Sequence, residues 1–205
     1  MFRKPYLITL ILGLIFIVLP GPAQSSGEIS GHWLGGPMDA PVRMEVFSDF
    51  QCTHCRSFYL GTIRPILRDY ATKSKVCVIY HEFPLRSNPY SLKAAQYSEA
   101  AYRLGRQKLL QVMDSMYSEQ DTWSQDGNLE QIVAEALSSE DMEKLNKILQ
   151  DPSINQSISE GVELGNQREV TSTPTTFFYY IGKEQKVEGA GTYTILKQFI
   201  DQIVK

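Results

Sequence analysis

Residues 48–58 read SDFQCTHCRSF, with Cys52, Thr53, His54 and Cys55 at the centre as a CxxC motif. The preceding residues 42–47, VRMEVF, are rich in Val, Met and Phe and predict a short buried strand. After the motif, Tyr59, Ile63, Ile66, Leu67 and Tyr70 recur at helical spacing, which predicts one helix from the motif to about Tyr70, kinked at Pro65. The cysteines therefore fall at a strand-to-helix junction, three apart on a first helical turn and close enough to bridge. Cys52 sits at the helix N-terminus, where unpaired N–H groups and the positive end of the macrodipole favour a thiolate. A cysteine so placed has a lowered pKa and attacks disulfides, and Cys55 one turn further in is positioned to resolve the mixed disulfide that results.

Outward from the motif, residues 75–83 predict a second strand, with Val76, Val78 and Tyr80 on one face and Cys77, Ile79 and His81 on the other. A helix separates it from the first strand, so parallel pairing is the natural arrangement. Residues 89–166 contain no good strand candidate. Leu129, Ile132, Val133, Ala136 and Leu137 form an apolar stripe behind Asn128 as N-cap, and Met142, Leu145, Ile148 and Leu149 form another, closed by Asp151-Pro152. Residues 175–180 predict a strand, 181–183 a turn and 185–188 a strand returning as a hairpin. Thr192 then caps a last helix with Ile195, Leu196, Phe199, Ile200 and Ile203 on one face. Residues 24–39, rich in Gly, Ser and Pro, predict a poorly ordered lead-in, with His32 and Trp33 as surface residues or a lid.

VFSDFQCTHC resembles the thioredoxin superfamily and, within it, the DsbA-like group, whose site is a CxxC with His before the second Cys. The likeness extends through GGPMDAPV, EFPL, SLKAAQYSEAA and TSTPTTFF, the last containing Thr173 and Pro174. It implies an α/β thioredoxin fold at residues 40–205, with a helical subdomain at about 89–166 inserted between the βαβ half and the C-terminal ββα half. It also implies a thiol–disulfide oxidoreductase with a redox-active Cys52–Cys55 disulfide. In that reading Cys52 is the nucleophile, Cys55 the resolving thiol and His54 the tuner of potential. Thr173 and a cis Pro174 form the substrate platform. Implied partners are substrate proteins with cysteines and a quinone-linked membrane thiol oxidase as reoxidant. The chain is expected to act as a monomer, with neither metal nor other cofactor. Thr53 and Ser172 stand where the group often has Pro and Gly. Val46 stands six before Cys52, where an acid is common; Glu45 points to the other face of its strand and receives no catalytic role.

The chain has 205 residues, 42% apolar and 11% aromatic, enough for one well-packed domain and too little for two large ones. Residues 1–6 carry Arg3 and Lys4, residues 7–19 are an uncharged apolar run short of the ~20 a membrane span needs, and Gly21-Pro22-Ala23 is a small-x-small site. Residues 1–23 thus predict a secretory signal peptide; the alternative is an uncleaved anchor. Both export the domain, to the periplasm or the extracytoplasmic face of the membrane, where disulfides persist. Removing residues 1–23 takes away two basic and no acidic side chains, so the exported part is more acidic than the whole chain's net −3. This charge excludes nucleic-acid binding on electrostatic grounds.

Three cysteines leave Cys77 over, either a small buried hydrophobe or a regulatory or dimer-forming thiol. Zinc on Cys52, Cys55, Cys77 and His81 is disfavoured, because Cys77 and His81 lie four apart on a strand, ~13 Å along it. Disulfide transfer to substrates competes with isomerase or reductase chemistry. A non-catalytic binding or chaperone role on the same scaffold is the reading from a different class.

Overall fold

The structure, a computed structural model, describes residues 31–205. The secretory segment expected at 1–23 and the first part of the lead-in lie outside the described residues. A five-stranded sheet is ordered β1-β3-β2-β4-β5, from β1 (His32–Gly35), β2 (Val42–Ser48), β3 (Val76–Glu82), β4 (Thr175–Tyr180) and β5 (Lys183–Glu188). β2 and β3 pair in parallel, with Val42 beside Val76 and Ser48 beside Glu82, as the intervening helix requires. The other pairs are antiparallel.

Alternation along the central strands sorts the side chains. Val42, Met44, Val46, Val78 and Tyr80 join the main core, whereas Phe47 joins Phe83, Val170 and Phe177 in a smaller cluster. The helical run after the CxxC is α1 (Thr53–Phe58), a π-helical stretch over Tyr59–Ile63, and α2 (Arg64–Asp69). Pro65 has no N–H to give back to the preceding turn, so the expected kink takes the form of a widened turn just ahead of it.

Six helices separate β3 from β4: α3 (Ser91–Leu104), α4 (Arg106–Ser118), α5 (Gln120–Asp126), α6 (Leu129–Ala136), α7 (Ser139–Ile148) and α8 (Ser153–Gln167). They are the expected helical insertion. Their buried faces, including Leu109, Met113, Met116, Tyr117, Trp123, Val133, Leu145 and Ile158, merge with the sheet's core rather than forming their own. The last helix, α9 (Tyr193–Ile203), is capped as expected: the Thr192 hydroxyl accepts from the Ile195 N–H.

Three local expectations are corrected. The lead-in at 24–39 contains β1, whose His32 and Leu34 are buried; flanking glycines hide so short a strand, and pairing with β3 supplies its order. Asn128 occupies the cap position of α6 but makes no side-chain cap bond, and its own N–H is taken by Asp126 Oδ1 at 2.9 Å. The hairpin turn is only Ile181-Gly182, both at positive φ (47° and 68°), so β5 begins at Lys183 opposite Tyr180. Two residues at positive φ match the twist of the flanking strands, which closes the hairpin more tightly than expected.

Candidate active site

β2 delivers the chain to Asp49, and Asp49 shapes the approach to the cysteines. Its carboxylate accepts from the Gln51 N–H (2.7 Å) and Ser91 hydroxyl (2.5 Å) on one oxygen, and from the Leu85 N–H (2.8 Å) and Asn88 amide (2.9 Å) on the other. One buried side chain thus ties the CxxC loop to the 85–88 loop and to the start of α3. From α5, the Gln120 amide donates to the carbonyls of Phe50 and Cys52. These contacts set where α1 begins. Asp49 lies inside the decisive stretch and was open to notice; nothing in the sequence marks Gln120.

Cys52 is the N-cap residue of α1, in extended backbone and without a side-chain cap, so the first N–H groups of the helix face its sulfur. The three cysteines are unbridged. Hydrogen bonding from the Cys55 thiol, helped by the N–H groups of Cys55 and His54 and by Thr173, outweighs partial burial and lowers the Cys52 pKa to about 5. Cys55 is buried, and burial together with the neighbouring Cys52 charge pushes its pKa well up. The pair is therefore a half-buried thiolate beside an enclosed thiol. The first can attack an incoming disulfide at neutral pH, and the second can reach only its partner.

The far wall comes from the other end of the chain. The Thr173–Pro174 bond is cis, as expected, and the Thr173 carbonyl lies 3.4 Å from Cys52 Sγ. The Thr175 hydroxyl donates to the Ser172 carbonyl at 2.7 Å and braces this loop. Of the sequence-predicted residues, Cys52, Cys55, Thr173 and Pro174 come together. His54 reaches Cys52 through its backbone N–H, while its side chain is exposed.

The profile of the thioredoxin family matches residues 28–202. The chain belongs to the thioredoxin family. It is 27% identical over 146 residues to "Probable disulfide bond formation protein D" of Bacillus cereus, covering 69% of this chain and 67% of that protein. Among solved structures it superposes on Wolbachia pipientis alpha-DsbA1 with TM-score 0.70 at 23% identity, over 91% of this chain and 94% of that one. BdbD from Bacillus subtilis gives 0.68 at 19%, over 85% and 97%. This thioredoxin-family chain has the DsbA-like fold and, with both cysteines of its CxxC in place, is a thiol–disulfide oxidoreductase.

The remaining candidates lie elsewhere. Glu45 is held on the opposite strand face from Val46 by Arg168 (2.6 Å) and Arg43 (3.1 Å). Cys77 is buried, with its thiol 3.6 Å from Met38 Sδ and its pKa raised by burial, as expected of an enclosed small hydrophobe. His81, disfavoured above as a zinc ligand, makes no compensating hydrogen bond at the end of β3 through either ring nitrogen. The ring instead stacks on Phe47, 4.5 Å between centroids, with Glu45 3.9 Å away. Packing against apolar rings replaces hydrogen bonding there.

Proposed function

We propose that this protein is an exported thiol–disulfide oxidoreductase that passes a Cys52–Cys55 disulfide to substrate proteins. A substrate thiolate attacks Cys52 Sγ, Cys55 leaves, and a second substrate thiol releases Cys52 as its thiolate. Cys52 carries the mixed disulfide; in the reverse direction it is the attacking nucleophile and Cys55 the resolving thiol. Thr173 and Pro174 form the platform on which an extended substrate segment lies, and His54 tunes the potential through its N–H and the field of its ring. The observation that carries this reading is Cys52 at the N-cap of α1, 3.4 Å from the Thr173 carbonyl beside the cis Pro174, a setting whose hydrogen bonding lowers the Cys52 pKa to about 5. Stabilising the reduced form makes the disulfide the stronger oxidant, which favours donation over reduction. The basic start, short apolar run and small-x-small site of residues 1–23 support export. A quinone-linked membrane thiol oxidase would return the pair to the disulfide, and the protein would act as a monomer.

Equilibrating the purified protein with glutathione buffers measures its reduction potential. A value well above the about −270 mV of thioredoxin is expected; a value at or below it assigns the protein to reduction instead.

A further inference from the structure

Each redox cycle makes and consumes a thiol at Cys55, yet Cys55 is only 1% exposed. A proton must cross packed protein every time. The side chain that faces Cys55 from within is Ser48, at the end of β2. The Ser48 hydroxyl lies 3.1 Å from the Tyr117 hydroxyl, and the Tyr117 hydroxyl 2.8 Å from that of Tyr80. All three residues are buried, and the Tyr117 ring is clamped between Phe50 and Tyr59, each 4.7 Å away by centroid. A hydroxyl accepts one proton and donates another, so three in line can move a proton without net charge on any of them.

The line leads to a group with an unmet need. Glu82, two residues beyond Tyr80 on the same face of β3, is buried, and its Oε1 has no hydrogen-bond partner. His32 Nδ1, also unpartnered, lies 3.5 Å away, while His32 Nε2 is 2.7 Å from Glu99. Among the described residues, a cavity of about 530 Å³ is lined by His32, Tyr80, Glu82, Glu99, Ser157 and Glu160. It is polar and roomy enough for water. Burial pushes the Glu82 pKa well up, which favours the protonated carboxyl as a donor.

We propose that Ser48, Tyr117 and Tyr80 form a proton relay joining Cys55 to Glu82, and that the proton enters and leaves through the His32–Glu99 cavity rather than through the substrate face. The inference rests on the roles assigned above to Cys52 and Cys55. When a substrate thiolate attacks Cys52, the S–S bond breaks and its electron pair goes to Cys55 Sγ. That thiolate takes the Ser48 proton, Ser48 takes one from Tyr117, Tyr117 from Tyr80, and Tyr80 from Glu82 through a cavity water. Glu82 is then reprotonated from the cavity. When Cys55 attacks instead, every transfer reverses. Beyond burial, the groups that set the proton affinity of Glu82 are Ser98 and Glu99 on α3 and Asp49. The other titratable or charged groups around it are His32 on β1, 3.5 Å away, Tyr80 and His81 on β3, Tyr117 on α4 and Glu160 on α8, with Arg103 behind Glu99.

Reaction of the reduced protein with oxidised glutathione separates the two thiols. Cys52 attacks in a step that depends on glutathione concentration, and Cys55 resolves in one that does not; acid quenching and mass spectrometry follow both. Tyr117→Phe and Tyr80→Phe should each slow only the second step, by about tenfold or more at pH 6–8. Glu82→Gln should slow the same step and flatten its pH dependence. The Tyr80 hydroxyl meets the line at the Tyr117 hydroxyl, 2.8 Å away, and a general packing loss would slow both steps rather than the second alone. Parent rates for the second step in both tyrosine variants, or equal slowing of both steps, would overturn the relay. Failure of Cys52 to form the mixed disulfide in the parent protein would instead remove the assignment on which the relay rests.

Discussion

Cys52 Sγ stands 3.4 Å from the carbonyl oxygen of Thr173, 121 positions later in the chain. The attacking sulfur is thus held between the free N–H groups of α1 and the loop that opens β4. Its alkylation should titrate with a midpoint near pH 5. The folded pKa is depressed below the ordinary 9.0, so the stability that the thiolate contributes is fully present above about pH 9 and is lost as the pH falls through about 5. Reduced protein should gain on oxidised protein in urea unfolding between pH 5 and pH 8. An unchanged difference between the two forms would contradict this assignment.

Substituting the cysteines singly distinguishes their roles. Cys52→Ser should abolish exchange. Cys55→Ser should accumulate mixed disulfides with substrate proteins, because the attacking thiol survives and the resolving one does not. Non-reducing gels read both outcomes. Accumulation with the Cys52 variant instead would reverse the assignment.

His54→Ala keeps the backbone N–H that faces Cys52 and removes only an exposed ring. An exposed charge interaction is worth ~1 kcal/mol or less, and 30 mV corresponds to about 1.4 kcal/mol for a two-electron couple. The variant should therefore be less oxidising by roughly 20 mV or less in glutathione buffers. A shift of 60 mV would mean that the imidazole itself bonds the thiolate.

Asp49→Ala leaves the Gln51 and Leu85 N–H groups, the Asn88 amide and the Ser91 hydroxyl without their acceptor. Hydrogen bonds to a charged acceptor contribute ~1.5–3 kcal/mol, and stranded buried donors add to the cost. A loss of about 2–4 kcal/mol is expected by chemical denaturation, with Asp49→Asn milder. An unchanged denaturation midpoint would show that these loops hold their places without the carboxylate.

Burial, reinforced by the neighbouring His32 and Arg168, pulls the His81 pKa down to about 3. As the pH falls below about 6.5, the unfolded chain takes up a proton that the folded chain refuses, and stability drops by up to ~1.4 kcal/mol per pH unit. His81→Phe, which keeps the stack on Phe47, should flatten this slope by about one proton between pH 6 and pH 4. Parallel slopes in denaturant titrations of the two proteins would show that His81 charges freely in the fold.

Much of the architecture was legible because it follows from local periodicity. The change from alternation over 42–47 to helical spacing after Cys52 marked the strand-to-helix junction, and the absence of strand patterns over 89–166 marked the insertion. β1 was not legible. Four residues bounded by glycines carry too little periodicity, and their order comes from pairing with β3. The turn at Ile181-Gly182 is one residue shorter than local pattern predicts, since strand pairing determines which residues adopt positive φ.

At the site the division is similar. The sequence alone determined that Cys52 and Cys55 share the first turn of a helix behind a buried strand, because three-residue spacing at such a junction permits little else. It also marked Thr173-Pro174 through resemblance. Tertiary structure decided that Gln120 holds the CxxC carbonyls from an inserted helix, that Asp49 gathers four donors from three segments, and that Ser48, Tyr117 and Tyr80 align behind Cys55. All of these contacts except the Asp49–Gln51 bond join residues tens of positions apart, such as Ser48 and Tyr117 at a separation of 69. Hydrogen bonding depends on distances and angles in space, and for such residues only the packing of sheet against helices sets them.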